Sequence, residues 1–281
     1  MFRGIVKLLG MVLGGLLALA ILMGIAYGAV ELLHAAGVIK GDPVETRVYE
    51  VSKEGLVEVG KKDEGTKSEA KDDAETKTEV KNLEIRLGAG SLELKEGEKL
   101  KVSTDITEME VEEKDGTLKI TENSRWHLFS WQRGMKVTVE VPKDYQFEEV
   151  KLETGPGKVS IGNILANKIK MEAGAGKIEI EQILATNELK MNLGAGEVSI
   201  RQADGELIDI NCGVGKVGIG LADAEEAYKF KLDKGVGKIT VGGREASGTW
   251  SGAKATKEVK IEGGVGAIEI KTGVVQKAVR E

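Results

Sequence analysis

The chain has 281 residues, of which 38 are glycine, three are proline and 4% are aromatic. A single cysteine, Cys212, permits no intrachain disulfide and no cysteine-based zinc cluster, and two histidines, His34 and His127, leave little for metal or general-base chemistry. The net charge of −6, made of 40 basic and 46 acidic residues, lacks the basic field that nucleic acids require, so neither a nucleic-acid partner nor a cofactor is expected.

Residues 1–40 read as a membrane anchor. From Leu8 to Val30 there is no charge, and a helix rising ~1.5 Å per residue needs about 20 apolar residues to cross the hydrocarbon core. Arg3, Lys7 and the terminal amine favour a cytoplasmic N-terminus, with Lys40 and Arg47 beyond the span opposing them in part. The expected topology is a single pass through the cytoplasmic membrane, with the C-terminal domain outside the cytoplasm. A cleaved signal peptide competes, because Ala26-Tyr27-Gly28 has small residues at suitable offsets, but its apolar core would exceed the usual 7–15 residues. Residues 41–81 then interleave acids and bases, as in Lys61-Lys62-Asp63-Glu64, with few large apolar residues. Such a stretch buries too little to offset its ordering entropy and reads as a flexible charged linker. Within it Val48, Val51, Leu56 and Val57 offer one short strand.

Residues 82–149 carry several strands without a short repeat, including Leu100–Thr104, Ile106–Val111, Thr117–Thr121 and Met135–Val141, with Asp115-Gly116 as a hairpin turn. This part is expected to cover one end of the C-terminal half, since an uncovered strand edge invites further pairing. Between two of its strands Arg125 to Arg133 concentrates Trp126, Phe129 and Trp131. These three are candidate partner contacts, stacking on a sugar or dipping into a bilayer interface; a hydrophobic lid is the competing reading.

The main signal is internal repetition. Seven times, alternating apolar residues lead into Gly-x-Gly and out again, beginning with Leu83 to Leu94 around Gly88 and Gly90. The pairs continue as Gly155/Gly157, Gly174/Gly176, Gly194/Gly196, Gly213/Gly215, Gly235/Gly237 and Gly264/Gly266. From Gly155 the first glycines advance by 19, 20, 19, 22 and 29 residues, so the last steps contain insertions. Period-2 alternation places Ile169, Met171, Ile178 and Ile180 inward and Lys170, Glu172, Lys177 and Glu179 outward. Paired glycines tolerate positive φ and close approach, which suits a corner where rungs pile up. The expected fold is therefore all-β: a single-chain parallel β-solenoid of ~20-residue coils over residues 150–273, with a tail at 274–281. A meander of hairpins is the alternative, though it gives no reason for glycines in register.

Stacked coils would align outward residues into columns. One is Lys151, Lys170, Lys190, Asp209, Lys231 and Lys260; beside it run Glu153, Glu172, Asn192, Asn211, Asp233 and Glu262. Lysine over lysine costs under ~1 kcal/mol in water at the interstrand spacing, whereas four buried aliphatic side chains per coil contribute roughly 6–12 kcal/mol gross. Burial decides the fold. The column headed by Lys151, Lys170 and Lys190 is then either a self-neutralising wet face or a contact strip for an anionic envelope polymer.

No motif points to catalysis. Gly213-Val-Gly215-Lys-Val-Gly218 matches a dinucleotide fingerprint but is one of seven equivalent corners, most of which lack the third glycine. No Gly-Lys is followed by Ser or Thr, and calcium-binding glycine repeats would need aspartates that are missing. Cys212 takes the slot of Ala173 and Leu193 in sibling coils and reads as a small core residue. Glycan-cleaving β-helices need convergent carboxylates, whereas the acids here form a regular column. The chain is expected not to be an enzyme.

The segment Met135-Lys-Val-Thr-Val-Glu-Val-Pro142-Lys-Asp-Tyr145, the following Val150 to Gly157 and the later Gly-x-Gly coils resemble a bacterial "putative adhesin" family of β-strand-repeat domains over about residues 82–273. One departure is lysine after several glycine pairs, where the family often has aspartate. The resemblance implies a solenoid displayed outside the cytoplasmic membrane, sometimes linked to envelope stress, with no catalytic residues to carry over. The expected role is binding, adhesion or envelope-stress sensing, with the membrane and an envelope polymer or protein as partners. A scaffold that polymerises end to end through solenoid edges is the alternative, and the oligomeric state is left open.

Overall fold

The structure, a computed structural model, describes residues 46–52, 55–59, 79–123 and 135–274. The apolar run 8–30, most of the charged stretch, the aromatic segment with Trp126, Phe129 and Trp131, and nearly all of the tail lie outside these residues. Among the described residues no helix is long and apolar enough to cross a membrane.

The described chain is all-β apart from one 3-10 turn at Glu225–Ala227. In order it forms β1 (Arg47–Ser52), β2 (Gly55–Val59), β3 (Asn82–Leu87), β4 (Gly90–Gly97), β5 (Lys101–Thr104), β6 (Met109–Lys114), β7 (Thr117–Glu122) and β8 (Lys136–Pro142). There follow β9 (Gln146–Thr154), β10 (Gly157–Asp204), β11 (Leu207–Leu221), β12 (Tyr228–Val241), β13 (Arg244–Glu245), β14 (Gly248–Ser251) and β15 (Lys257–Lys271). The 48-residue β10 passes through the corners at Gly176 and Gly196, where φ turns to 142° and 139°.

The ladders that build the stack are parallel. Lys170 pairs with Lys151 and Ala173 with Thr154 across β10 and β9, and Leu189 pairs with Ile208 across β10 and β11. The glycines pile up at the corner. A Cβ on Gly176 (φ 142°) would lie 1.8 Å from the carbonyl oxygen of Gly157, and one on Gly194 would lie 2.2 Å from that of Gly174. No side chain fits there, so paired glycine is a packing requirement as well as a conformational one. Gly174, Gly194 and Gly213 lie in one row, as the repeat predicts.

Alternation fills the interior as expected. Val150, Ile169, Leu189, Ile208, Val259 and Phe230 form one fully buried column. Ile178, Ile180, Val198 and Ile200 bury the opposite wall beyond the corner. Larger side chains fill the ends: Phe230 stacks on Trp250 with centroids 4.9 Å apart, and Tyr145 tilts against Phe147 at the same distance.

The order of the rungs departs from the expected coil-after-coil progression at both ends. β15, the last coil in sequence, lies between β11 and β12, pairing with each in parallel. At the other end β3 and β4 lie between β7 and β8 on one side and β9 and β10 on the other. The physical reason is edge protection. The chain runs out to the last rung, covers its outer edge with short antiparallel strands, and returns to fill the gap behind it. β13 and β14 cover β12; β6 covers β7, and β5 covers β8. The β6–β7 turn is the expected Asp115-Gly116, with φ values of 50° and 70° that suit a two-residue hairpin.

One boundary also differs. Part of the stretch read as linker, 41–81, forms the hairpin β1–β2, whose first strand extends the sheet antiparallel to β5. Val80 is buried and accepts a hydrogen bond from the Tyr145 hydroxyl. Three of the hairpin's apolar residues, Tyr49, Val51 and Leu56, pack against the core, and they suffice once a sheet edge is there to receive them.

Candidate glycine-corner groove

Two outward features run across the rungs on one side of the stack. The first is the lysine column. Lys151 and Lys170 are cross-strand neighbours, and Lys190 continues the row because Gly194 stacks on Gly174. Beyond it the order is Asp209, Lys260, Lys231, with the last two exchanged relative to the sequence reading because β15 lies inside β12. On the near side the column gains Glu84 and Lys119. Lys151 and Lys170 share one carboxylate, at 3.0 and 3.2 Å from Glu149. Partial burial works to raise the Glu149 pKa, but hydrogen bonds from the two lysines outweigh it and hold the group below its ordinary value. Lys158 and Lys177 share Glu179 in the same way, at 3.2 and 2.7 Å. Much of the lysine surface is thus neutralised internally. Lys190 has no ion pair among the described residues.

The second feature is a groove of about 1030 Å³ between the acid column and the glycine corner. Its outer wall is Glu153, Glu172, Asn192, Asn211, Glu262 and Asp233; the opposite wall is glycine backbone; Thr154, Ala173, Leu193 and Cys212 line its floor. The last inward slot before each corner holds a small residue in four rungs, Thr154, Ala173, Cys212 and Gly263, and Leu87, Leu193 and Lys234 in the others.

Polar chemistry in the groove is dominated by acceptors. Arg86 closes one end, 3.0 Å from Glu84 and 3.3 Å from Glu153. Asn211 Nδ2 donates to Asn192 Oδ1 at 3.1 Å, while Asn211 Oδ1 and Thr154 Oγ1 are buried with no protein hydrogen-bond partner. Asp233 and Glu262 are directly cross-strand; like charges in that relation are destabilising. Beside the groove the middle residues of three glycine pairs, Val214, Val265 and Val236, stand in register and 50%, 51% and 76% exposed.

Cys212 lies in the expected inward slot, packed against the core though only partly buried, and it also lines the groove. Burial still pushes its thiol pKa up to about 11, so at neutral pH it is a protonated, weakly reactive group. Among the described residues no cluster of three or more His, Cys, Asp or Glu is arranged to hold a metal ion. The acid column was legible in the sequence, but the groove it walls was not. The available signal was the run of small residues at one inward slot, which also suits a tight core.

A family model described as Toastrack DUF4097 matches residues 80–272. No curated protein matches the chain. Among solved structures, a "putative cell adhesion protein" from Clostridium sporogenes is 20% identical, with 81% of this chain and 99% of that one covered and a TM-score of 0.46. A "putative adhesin" from Bacteroides fragilis is 13% identical, covering 82% and 98%, with a TM-score of 0.42. A "Putative lipid binding protein" from Parabacteroides distasonis is 14% identical, covering 70% and 92%, with a TM-score of 0.25.

Proposed function

The chain belongs to the Toastrack DUF4097 family, and we propose that it is a non-enzymatic envelope protein that displays a rigid β-solenoid for adhesion or binding. Residues 8–30 anchor it in the cytoplasmic membrane, and the solenoid stands outside the cytoplasm. The anchor rests on the uncharged run in the sequence. The observation that carries the binding role is the groove, which follows the glycine corner across the stacked rungs without interruption. Its walls are repeated acceptors and backbone, an arrangement suited to holding a linear partner. Trp126, Phe129 and Trp131, together with Lys190 in the lysine column, provide further contacts for an envelope polymer or protein.

Two measurements test this. Protease added to cells whose cytoplasmic membrane is intact but whose outer layers have been removed should remove a C-terminal tag; a protected tag would put the domain in the cytoplasm and end the display reading. Full-length protein should be retained on isolated cell envelopes, and replacing Trp126 and Trp131 with Ser should reduce retention without lowering the melting temperature. A fall in melting temperature with retention intact would identify the aromatic segment as a lid. End-to-end polymerisation is disfavoured by the short antiparallel strands over both outer rungs.

A further inference from the structure

We infer that two copies of this chain pair side by side along the glycine corner, each seating its corner row in the other's groove. The inference names a second copy as the partner of that groove; it rests on the binding role proposed above, though not on the membrane anchor.

The corner carries an apolar row. Between the paired glycines stand, in rung order, Pro156, Ala175, Ala195, Val214, Val265 and Val236. The three valines are in register on neighbouring rungs and at least half exposed. Among the described residues, the other large apolar side chains exposed to this degree are Val57 and Val59 of the β1–β2 hairpin. A continuous exposed row of this kind marks an interaction surface rather than scattered surface residues. The groove runs beside it in the same direction, past the same rungs.

Charge names the occupant. On the groove side the row is flanked by the acid column. On its other side, the first outward residues after the glycines are Lys158, Lys177, Glu197, Lys216, Ala267 and Lys238. A surface that is acidic to one side of an apolar line and rich in lysine on the other is complementary to itself. A two-fold axis parallel to the stack lays the lysine flank of each copy on the acid flank of the other, rung against equal rung. Lys158 then faces Glu153, Lys177 faces Glu172 and Lys238 faces Asp233. The remaining rungs set a charge against Asn192, Asn211 or Ala267, so none of them meets a like charge. Turned end for end, the pair would lay acid on acid and lysine on lysine; charge therefore selects the parallel arrangement.

Ion pairing within one chain leaves these groups free to engage. Glu153 is held by Arg86. Glu172, Asp233, Lys216 and Lys238 have no ion pair among the described residues, and Lys158 and Lys177 share a single carboxylate, Glu179. Asp233 and Glu262, which repel each other across the ladder, gain a counter-ion in Lys238 of the second copy. From Pro156 to Val236 the row spans five rung steps, about 24 Å. Such a seam is at the small end of specific interfaces, so the dimer is reversible and concentration-dependent.

Sedimentation velocity of the full-length protein in a non-ionic detergent, over a range of concentrations, tests the inference with two charge-reversed variants. Lys177→Glu/Lys238→Glu makes both flanks acidic and Glu172→Lys/Asp233→Lys makes both basic, so each alone should dimerise about tenfold more weakly than the parent. Mixed in equal amounts, the two should recover the parent's dimer, because each supplies the charge the other lacks. Both variants keep a net negative charge, so general attraction does not produce that recovery. Lys229→Glu/Lys271→Glu, an equal change of charge away from the seam, should leave dimerisation intact. Val265→Ser/Val236→Ser should weaken it without lowering the melting temperature. Cys212, on the groove floor, should be alkylated more slowly as the dimer fills. A parent that stays monomeric, dimers that persist in both charge variants, or a mixture that does not recover would overturn the inference. If dimerisation fails while envelope retention persists, the second copy falls as the partner and the binding role stands.

Discussion

Gly176 and Gly243 show how differently one residue type can matter. A methyl on Gly176 would sit 1.8 Å from the Gly157 carbonyl oxygen at φ 142°, whereas at Gly243 (φ 80°) nothing lies within 4 Å. Gly176→Ala is therefore expected to cost about 3 kcal/mol or prevent folding, and Gly243→Ala only about 1 kcal/mol. Urea unfolding of the two variants checks the contrast; equal losses would mean that the corner relaxes. Cys212 gives a pH prediction. Its folded pKa of about 11 lies above the unfolded value of about 8.5, so the native state holds the proton longer. Its contribution to stability is complete below about pH 8.5 and is lost as pH rises toward 11. Alkylation should be slow at pH 7.5 and accelerate through the same interval. At this scale the sequence was informative wherever chemistry leaves one solution. Alternating Ile169 and Met171 can only be a half-buried strand, and paired glycines only a tight corner. Ala173 and Cys212 were ambiguous because a small side chain suits a dense core and an open groove equally.

The elements were legible as strands, and their neighbours inside the repeat were legible too. The exchange of β12 and β15 was not, because the two share a pattern: Phe230 with Leu232, and Val259 with Ile261, satisfy the same inward positions. Only the 29-residue step before Gly264 hinted at a chain long enough to double back. Lys257, at the start of β15, holds the inserted rung. It contacts Asp204, the last residue of β10, and lies 2.7 Å from Asp223, just beyond the end of β11. Burial works to lower its pKa, but the hydrogen bonds to both aspartates prevail and raise it. A raised lysine pKa contributes stability that is fully present below the unfolded value of about 10.4 and lost above the still higher folded value. Lys257→Met should cost about 1–3 kcal/mol, with faster hydrogen exchange concentrated in β15 and β12. Uniform acceleration across the stack would mean that the lysine is no local clamp.

For the whole molecule, the covered outer edges predict no species larger than a dimer by sedimentation at all accessible concentrations. Deleting residues 242–252, which carry β13 and β14, should expose the edge of β12 and produce concentration-dependent association beyond the dimer. A deletion variant that grows no larger than a dimer would show that something other than these strands limits growth. Composition and periodicity led to an all-β stack with a thin aliphatic interior because those are averages over many residues. The return of each end into the stack depends on a few connections, and averages do not record it.

That return changes what can be cut away. Ordinary repeat arrays shorten gracefully, since the final unit touches a single neighbour. Here the final unit is wedged, so a chain stopped at Thr256 would not merely be shorter: it would leave a slot in its interior, with β11 and β12 facing each other across it. Such a protein should lose cooperative unfolding altogether. By the same logic, lengthening this lineage by duplication would have to occur in the middle of the gene, among the rungs between Phe147 and Leu221, and never by appending a copy to its tail.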